Sequence, residues 1–115
     1  LVLEAGDWRL NTVFSNIEVK VNTGSQASYL EAYKLLTDST ADSFGSYGIN
    51  RVVYGNKYVS HMLYNGSNSI QELNDALDEV YASNEFKSFN RKVGNIRKLV
   101  NSTLAQLVKA YPAER

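Results

Sequence analysis

Hydrophobic positions along this chain repeat at two periods, and the switches between them mark its elements. Over 12–22, Ile17, Val19 and Val21 alternate with Asn16, Glu18 and Lys20, which predicts a strand with two distinct faces. Asn22-Thr-Gly-Ser25 then reads as a turn, with Ser25 placed to cap a helix. From 26 to 36 the period lengthens. Tyr29, Tyr33 and Leu36 fall on one helical stripe, widened by Leu30 and Ala32, with Glu31 and Lys34 on a more exposed side. Helical character continues weakly through 37–44. Gly45-Ser-Tyr-Gly48 is the predicted stop, because glycine readily takes the left-handed conformation beyond a helix end.

The segment 48–64 is rich in β-branched and aromatic residues around Gly55-Asn56. It predicts a β-hairpin closed by a two-residue turn. That loop length implies a register: Val52 faces Val59, Arg51 faces Ser60, Asn50 faces His61 and Ile49 faces Met62. One face would then hold Asn50, Val52, Tyr54, Lys57, Val59, His61 and Leu63. The other would hold Ile49, Arg51, Val53, Tyr58, Ser60 and Met62. Neither face is cleanly polar, so both need cover.

Ser69-Ile-Gln-Glu72 has the capping-box pattern and opens a helix carrying Leu73, Leu77, Val80 and Tyr81. Asp75, Asp78 and Glu79 read as its solvated side. Ser83-Asn84 interrupts the helix, and Phe86, Phe89, Val93 and Ile96 resume a helical spacing with Gly94 among them. Over 99–109 the periodicity fits a helix or a strand. The element order favours a strand: strand, helix, two strands, helix, strand is the βαββαβ ferredoxin-like arrangement with an antiparallel sheet, an α+β fold. Residues 1–11 are weakly patterned, as a stray strand, an arm or a loose end, and 112–115 form a tail. The whole of 1–115 reads as a single domain.

At this point the chain resembles the dimeric α+β barrel superfamily over roughly 13–111. The resemblance lies in the strand 16–22 leading into the Ser25 helix, the Val53-Tyr-Gly-Asn turn, the Asn84-Glu-Phe86 stretch, and Ile96-Arg-Lys-Leu-Val with the closing strand. Asn-Glu-Phe is similar to an Asp-Pro-Glu-Phe stretch often seen there, without its proline. The resemblance implies ferredoxin-like protomers whose sheets pack face to face in a homodimer, with helices on the outer faces. Members include monooxygenases without cofactors, haem-degrading enzymes, polyketide cyclases and stress-related proteins, so no single activity carries over.

Composition narrows the partners. The 115 residues carry 12 basic and 12 acidic side chains, leaving no net charge to grip a phosphate backbone, so nucleic acid is not an expected partner. No run reaches the length of a membrane span. There is no cysteine, which removes disulfides and thiolate metal sites and leaves the compartment open. His61 is the only histidine. Opposite Asn50 it would serve as a base or a ligand donor, although a lone strand histidine is more often a hydrogen-bonded sheet residue. Haem ligation by it has no second supporting motif. No nucleophile elbow, metal-ligand cluster or phosphate loop is present. No cofactor is therefore expected.

The function these features favour is binding of an apolar or amphipathic small molecule, fatty-acid-like or aromatic, between the two sheets of a dimer. The expected wall is Asn50, Val52, Tyr54, Val59, His61 and Leu63, with 16, 18 and 20 of the first strand beside it. Were the faces reversed, Arg51 would anchor a carboxylate. The alternatives are a cofactor-independent monooxygenase or polyketide-type cyclase, and a dimer with a filled barrel and no ligand.

Overall fold

A computed structural model describes residues 3–40, 42–52 and 58–106. Five strands and three helices follow one another as β1 (Leu3–Gly6), β2 (Val13–Val21), α1 (Gln26–Ser39), β3 (Ser46–Arg51), β4 (His61–Ser67), α2 (Ile70–Ala82), α3 (Asn84–Val93) and β5 (Arg97–Gln106), with a 3-10 turn at Trp8–Leu10. The strands form one sheet in the order β1-β3-β4-β2-β5. Every pairing is antiparallel. Without β1, this is the ferredoxin-like order that the element sequence predicts.

Most element boundaries fall where the sequence patterns place them. Ser25 occupies the N-cap position of α1, but its side chain makes no capping bond. Ser69 does cap α2, its Oγ accepting from the Glu72 N–H at 3.1 Å. Ser83 ends α2 and begins α3 in one residue. Its hydroxyl donates to the Val80 carbonyl at 2.6 Å and accepts from the Phe86 N–H at 3.1 Å. Gly94 is the C-cap of α3 and lies outside the helix.

Three sequence expectations are corrected or narrowed. The Gly45–Gly48 stretch is not simply a helix stop: α1 ends at Ser39, and residues 46–48 already belong to β3. The ambiguous closing segment is a strand, and it begins earlier, at Arg97. Of the open alternatives for the N-terminus, the strand is realised, since residues 3–6 pair with β3 at the sheet edge.

The fourth correction matters most. In the observed register Arg51 faces His61, Asn50 faces Met62 and Ile49 faces Leu63. Val52 N–H donates to the Ser60 carbonyl, continuing the same register. The predicted pairing was off by one residue. Because side chains alternate with a period of two, a one-residue slip moves every side chain of one strand to the opposite face. His61 and Leu63 therefore share a face with Ile49 and Arg51, and Met62 shares one with Asn50. The Gly55-Asn56 turn, with Val53, Tyr54 and Lys57, lies outside the described residues.

The sheet thus has a covered face and an open one. Under the helices lie Val13, Ser15, Ile17, Val19 and Val21 of β2, Tyr47 and Ile49 of β3, and His61 and Leu63 of β4. Of these, Ile17, Val19, Val21, Tyr47, Ile49 and Leu63 pack with Tyr29, Ala32 and Tyr33 of α1 and Phe89 and Val93 of α3 into one cluster. The open face presents Phe14, Asn16, Glu18 and Lys20 beside Tyr64 and Met62. In β5, Glu18 pairs with Asn101 but Val19 pairs with Leu99, so Val100 is an extra residue. Such a bulge re-aims the side chains on either side of it.

Candidate functional site: a cavity between helices and sheet

The covered face is not packed solid. A cavity of about 470 Å³ separates part of the sheet from the helices. Its floor is Ile17 and Val19 of β2, Leu63 and Asn65 of β4, and Tyr47 of β3. Its roof is Tyr29, Tyr33 and Leu36 of α1, Leu77, Val80 and Tyr81 of α2, and Phe86 and Phe89 of α3. Leu99 and Ser102 of β5 both border it although residues three apart face opposite sides of a regular strand, which the Val100 bulge makes possible. Leu99 is 58% exposed, so the cavity opens beside β5.

The aromatic roof follows from helical spacing. Tyr29 and Tyr33 stand one turn apart on α1, and Phe86 and Phe89 do the same on α3. Tyr29 meets Phe89 edge-on with ring centroids 5.8 Å apart, and Phe86 stands 4.8 Å from Tyr81. These contacts hold the rings as a wall.

Few polar groups reach the cavity. Thr37 and Thr40 are spoken for, their hydroxyls donating to carbonyls of the preceding turn of α1. The phenol of Tyr33 is buried and its oxygen has no hydrogen-bond partner among the described residues. Burial, with Tyr47 and Tyr29 beside it, pushes its pKa well up, so it keeps its proton and is a donor. Burial pushes Tyr29 up to about 12, with the Arg97 guanidinium pulling the other way. Among the described residues Arg97 is the only charged side chain of the lining. Its guanidinium donates to the Asn90 amide oxygen at 2.9 Å, a neutral partner, and has no ion pair among the described residues.

A second hollow, about 490 Å³, lies on the open face among Glu4, Trp8, Phe14, Asn16, Asn50, Met62 and Tyr64. Burial and then the Glu4 carboxylate raise the Tyr64 pKa.

The predicted wall residues do not come together. Asn50 and Leu63 border the open-face hollow, and Leu63 alone among the predicted set also borders the cavity under the helices. Arg51 is on the covered face but exposed at the strand end, Val52 follows it, and Val59 is buried away from both hollows. Tyr54 lies outside the described residues. His61 is buried beneath α1, its ring 6.3 Å from that of Tyr29. Asn50 does not orient it. Ser60 Oγ stands 2.9 Å from His61 Nδ1 and accepts from the Val21 N–H at 2.7 Å. The imidazole Nε2 has no partner among the described residues. Burial and then the Arg51 charge push its pKa down, so the ring is neutral at pH 7.

Sequence reasoning placed Tyr29 and Tyr33 on the apolar stripe of a helix and gave Arg97 no role. The usable signal was chemical: a tyrosine on a core stripe carries a hydroxyl that needs a partner. Arg97 could not be found this way, since only the sheet order brings the start of β5 near Tyr29 of α1. Among the described residues no group of three or more His, Asp or Glu side chains is arranged to hold a metal, and no helix is long and apolar enough to cross a membrane.

No family model and no curated protein matches the sequence. Solved structures do match its ferredoxin-like α+β fold. A protein from Bordetella bronchiseptica described as an antibiotic biosynthesis monooxygenase superposes with a TM-score of 0.66 at 12% identity, over 86% of this chain and 99% of that one. One of the same description from Nitrosomonas europaea gives 0.62 at 11% identity, over 85% and 92%. A NIPSNAP family protein of unknown function from Agrobacterium tumefaciens gives 0.64 at 13% identity, over 90% and 95%.

Proposed function

We propose that this protein binds an apolar, aromatic or fatty-acid-like small molecule in the cavity between its helices and its sheet. The observation that carries this reading is the wall of Tyr29, Tyr33, Tyr81, Phe86 and Phe89 around a space of about 470 Å³. Ligand sites are typically hollows of this size, largely apolar, with a few polar groups that set orientation. Filling the space tests it. Leu77→Trp, a half-buried position on the roof, is expected to abolish binding of the neutral fluorophore N-phenylnaphthylamine while leaving the fold intact by circular dichroism. Undiminished binding by a folded variant would overturn the reading.

A second reading, oxygenation or cyclisation of such a ligand without a cofactor, draws on the descriptions of the Bordetella and Nitrosomonas proteins. Turnover of aromatic polyketide-type compounds, with oxygen uptake as readout, would distinguish an enzyme from a binder.

The open face is proposed as a homodimer interface. Phe14, Tyr64 and the 41%-exposed Met62 give it apolar area without a helix to cover it. A two-fold contact would set this patch against itself. Sedimentation is expected to show a dimer for the parent protein and a monomer for Met62→Glu. A parent protein that sediments as a monomer at micromolar concentration would remove the proposal.

A further inference from the structure

The cavity has a direction, and that direction restricts the ligand class beyond what the binding reading, on which this inference rests, requires. Arg97 pairs with Val21 at one end of β2, while Asn65 pairs with Ser15 towards the other. Two strand spacings, roughly 10 Å, also separate β5 from β4 across the sheet. The cation and the amide therefore stand at opposite ends of the space. The tyrosines of α1 follow the same axis. Tyr29 lies near Arg97, whose charge pulls on its pKa, and near His61 beside Val19. Tyr33, one turn later, faces Tyr47, the strand partner of Asn65.

We propose that the ligand is an elongated, mostly apolar mono-anion. Its acidic group sits at Arg97 by the mouth, and an oxygen acceptor, a carbonyl in the simplest case, meets the Tyr33 hydroxyl at the far end. Four observations lead there. Among the described residues the lining contains a cation and no carboxylate. Arg97 spends one donor on Asn90, and its other nitrogens have no ion-pair partner among the described residues. A planar guanidinium of this kind matches a carboxylate fork. Tyr33 is 4% exposed, borders the cavity, and its buried phenol has no acceptor among the described residues. An orphaned buried donor of this sort is costly unless something accepts from it. Between the two ends the walls are rings and aliphatic side chains. A neutral hydrocarbon would leave both polar ends unsatisfied, and a cation would be repelled at the entrance.

Two fluorophores of similar shape and different charge separate this inference from the binding reading itself: anionic anilinonaphthalene sulfonate and neutral N-phenylnaphthylamine. In Arg97→Gln the anionic probe is expected to lose about tenfold or more in affinity, the scale of one charge-assisted bond, with the neutral probe changing little. Lys87→Gln, on the exposed side of α3, removes the same charge elsewhere and is expected to affect neither. For the far end, straight-chain carboxylic acids compete against the neutral probe with the same acids bearing a terminal ketone. The parent protein is expected to prefer the keto acids severalfold, and Tyr33→Phe to erase that preference while still binding the plain acids. If the parent binds the neutral probe but Arg97→Gln leaves the anionic probe unchanged, or Lys87→Gln weakens it as much, the charge assignment is overturned and the cavity stands. If Tyr33→Phe keeps the keto preference, the acceptor assignment is overturned. If the parent binds neither probe and no acid, the binding reading fails with it.

Discussion

The two faces of the sheet are built from the same strands and have different chemistry. On the covered side, the helices bury Val13, Val19, Val21, Ile49 and Leu63, and aromatic rings arch over a hollow whose polar groups are few and spaced apart. On the open side, Phe14, Met62 and Tyr64 alternate with Asn16, Glu18, Asn50 and Lys20. Helix cover removes water, so each polar group left there is unscreened and either finds a partner or exacts a penalty. Tyr33 Oη and His61 Nε2 are such groups. The open face has no helix over it and tolerates mixed polarity, although Tyr64 Oη there is also buried without a partner among the described residues. A chemical site is accordingly better sought under the helices than on the face with more polar residues.

Substitutions sharpen this contrast. The largest effect is expected at Leu73, which is fully buried on the sheet-facing side of α2. Leu73→Ala is expected to cost about 2–5 kcal/mol in urea denaturation. A loss below 1 kcal/mol would mean that the helix layer is not seated on the sheet as described. Next comes Tyr33→Phe, which removes the orphaned hydroxyl and keeps the ring. It is expected to stabilise the ligand-free protein by roughly 1 kcal/mol. Destabilisation instead would mean that the hydroxyl already has a partner.

His61 gives a pH signature of the covered face. Its folded pKa is depressed by burial and by Arg51, so protonation is harder in the folded chain than in the unfolded one. The sign follows: stability is full above the unfolded value near 6.5 and falls as pH drops below it, because the unfolded chain takes up the proton first. Urea midpoints between about pH 8 and pH 5 are expected to fall for the parent protein and to fall less for His61→Asn. Equal slopes would place His61 in an environment where it titrates freely.

The smallest effect belongs to the open face. Met62→Ser is expected to change the stability of the isolated protomer by no more than about 0.5 kcal/mol, measured at concentrations too low for association. A loss comparable to that of Leu73→Ala would erase the distinction between the faces.

The fold was largely legible in the residues. Period-two alternation over 16–21 fixes β2 and its two faces, and the stripe of Tyr29, Tyr33 and Leu36 fixes α1. The Ser69 and Ser83 caps mark where α2 and α3 begin. All of these are short-range effects, set by spacing along the chain and by side chains bonding to their own backbone. From them the element order, and with it the ferredoxin-like topology, follows.

The site was not legible, because each of its components depends on a long-range choice. Strand register is decided by which side chains can be buried together, and a slip of one residue sends His61 under the helices and Asn50 to the other side. Nothing local to 48–64 distinguishes the two registers, since both faces carry apolar residues. The Val100 bulge, which turns Leu99 and Ser102 to the same hollow, exists only in the pairing of β5 with β2. Arg97 bonds to Asn90 locally, seven residues back, but approaches Tyr29 only because β5 returns to the edge beside β2. Spacing along the chain therefore determined which segments are strands and helices and how they are ordered. Packing across the chain decided which side chains face one another, where the helices leave a gap, and which charge stands at its mouth.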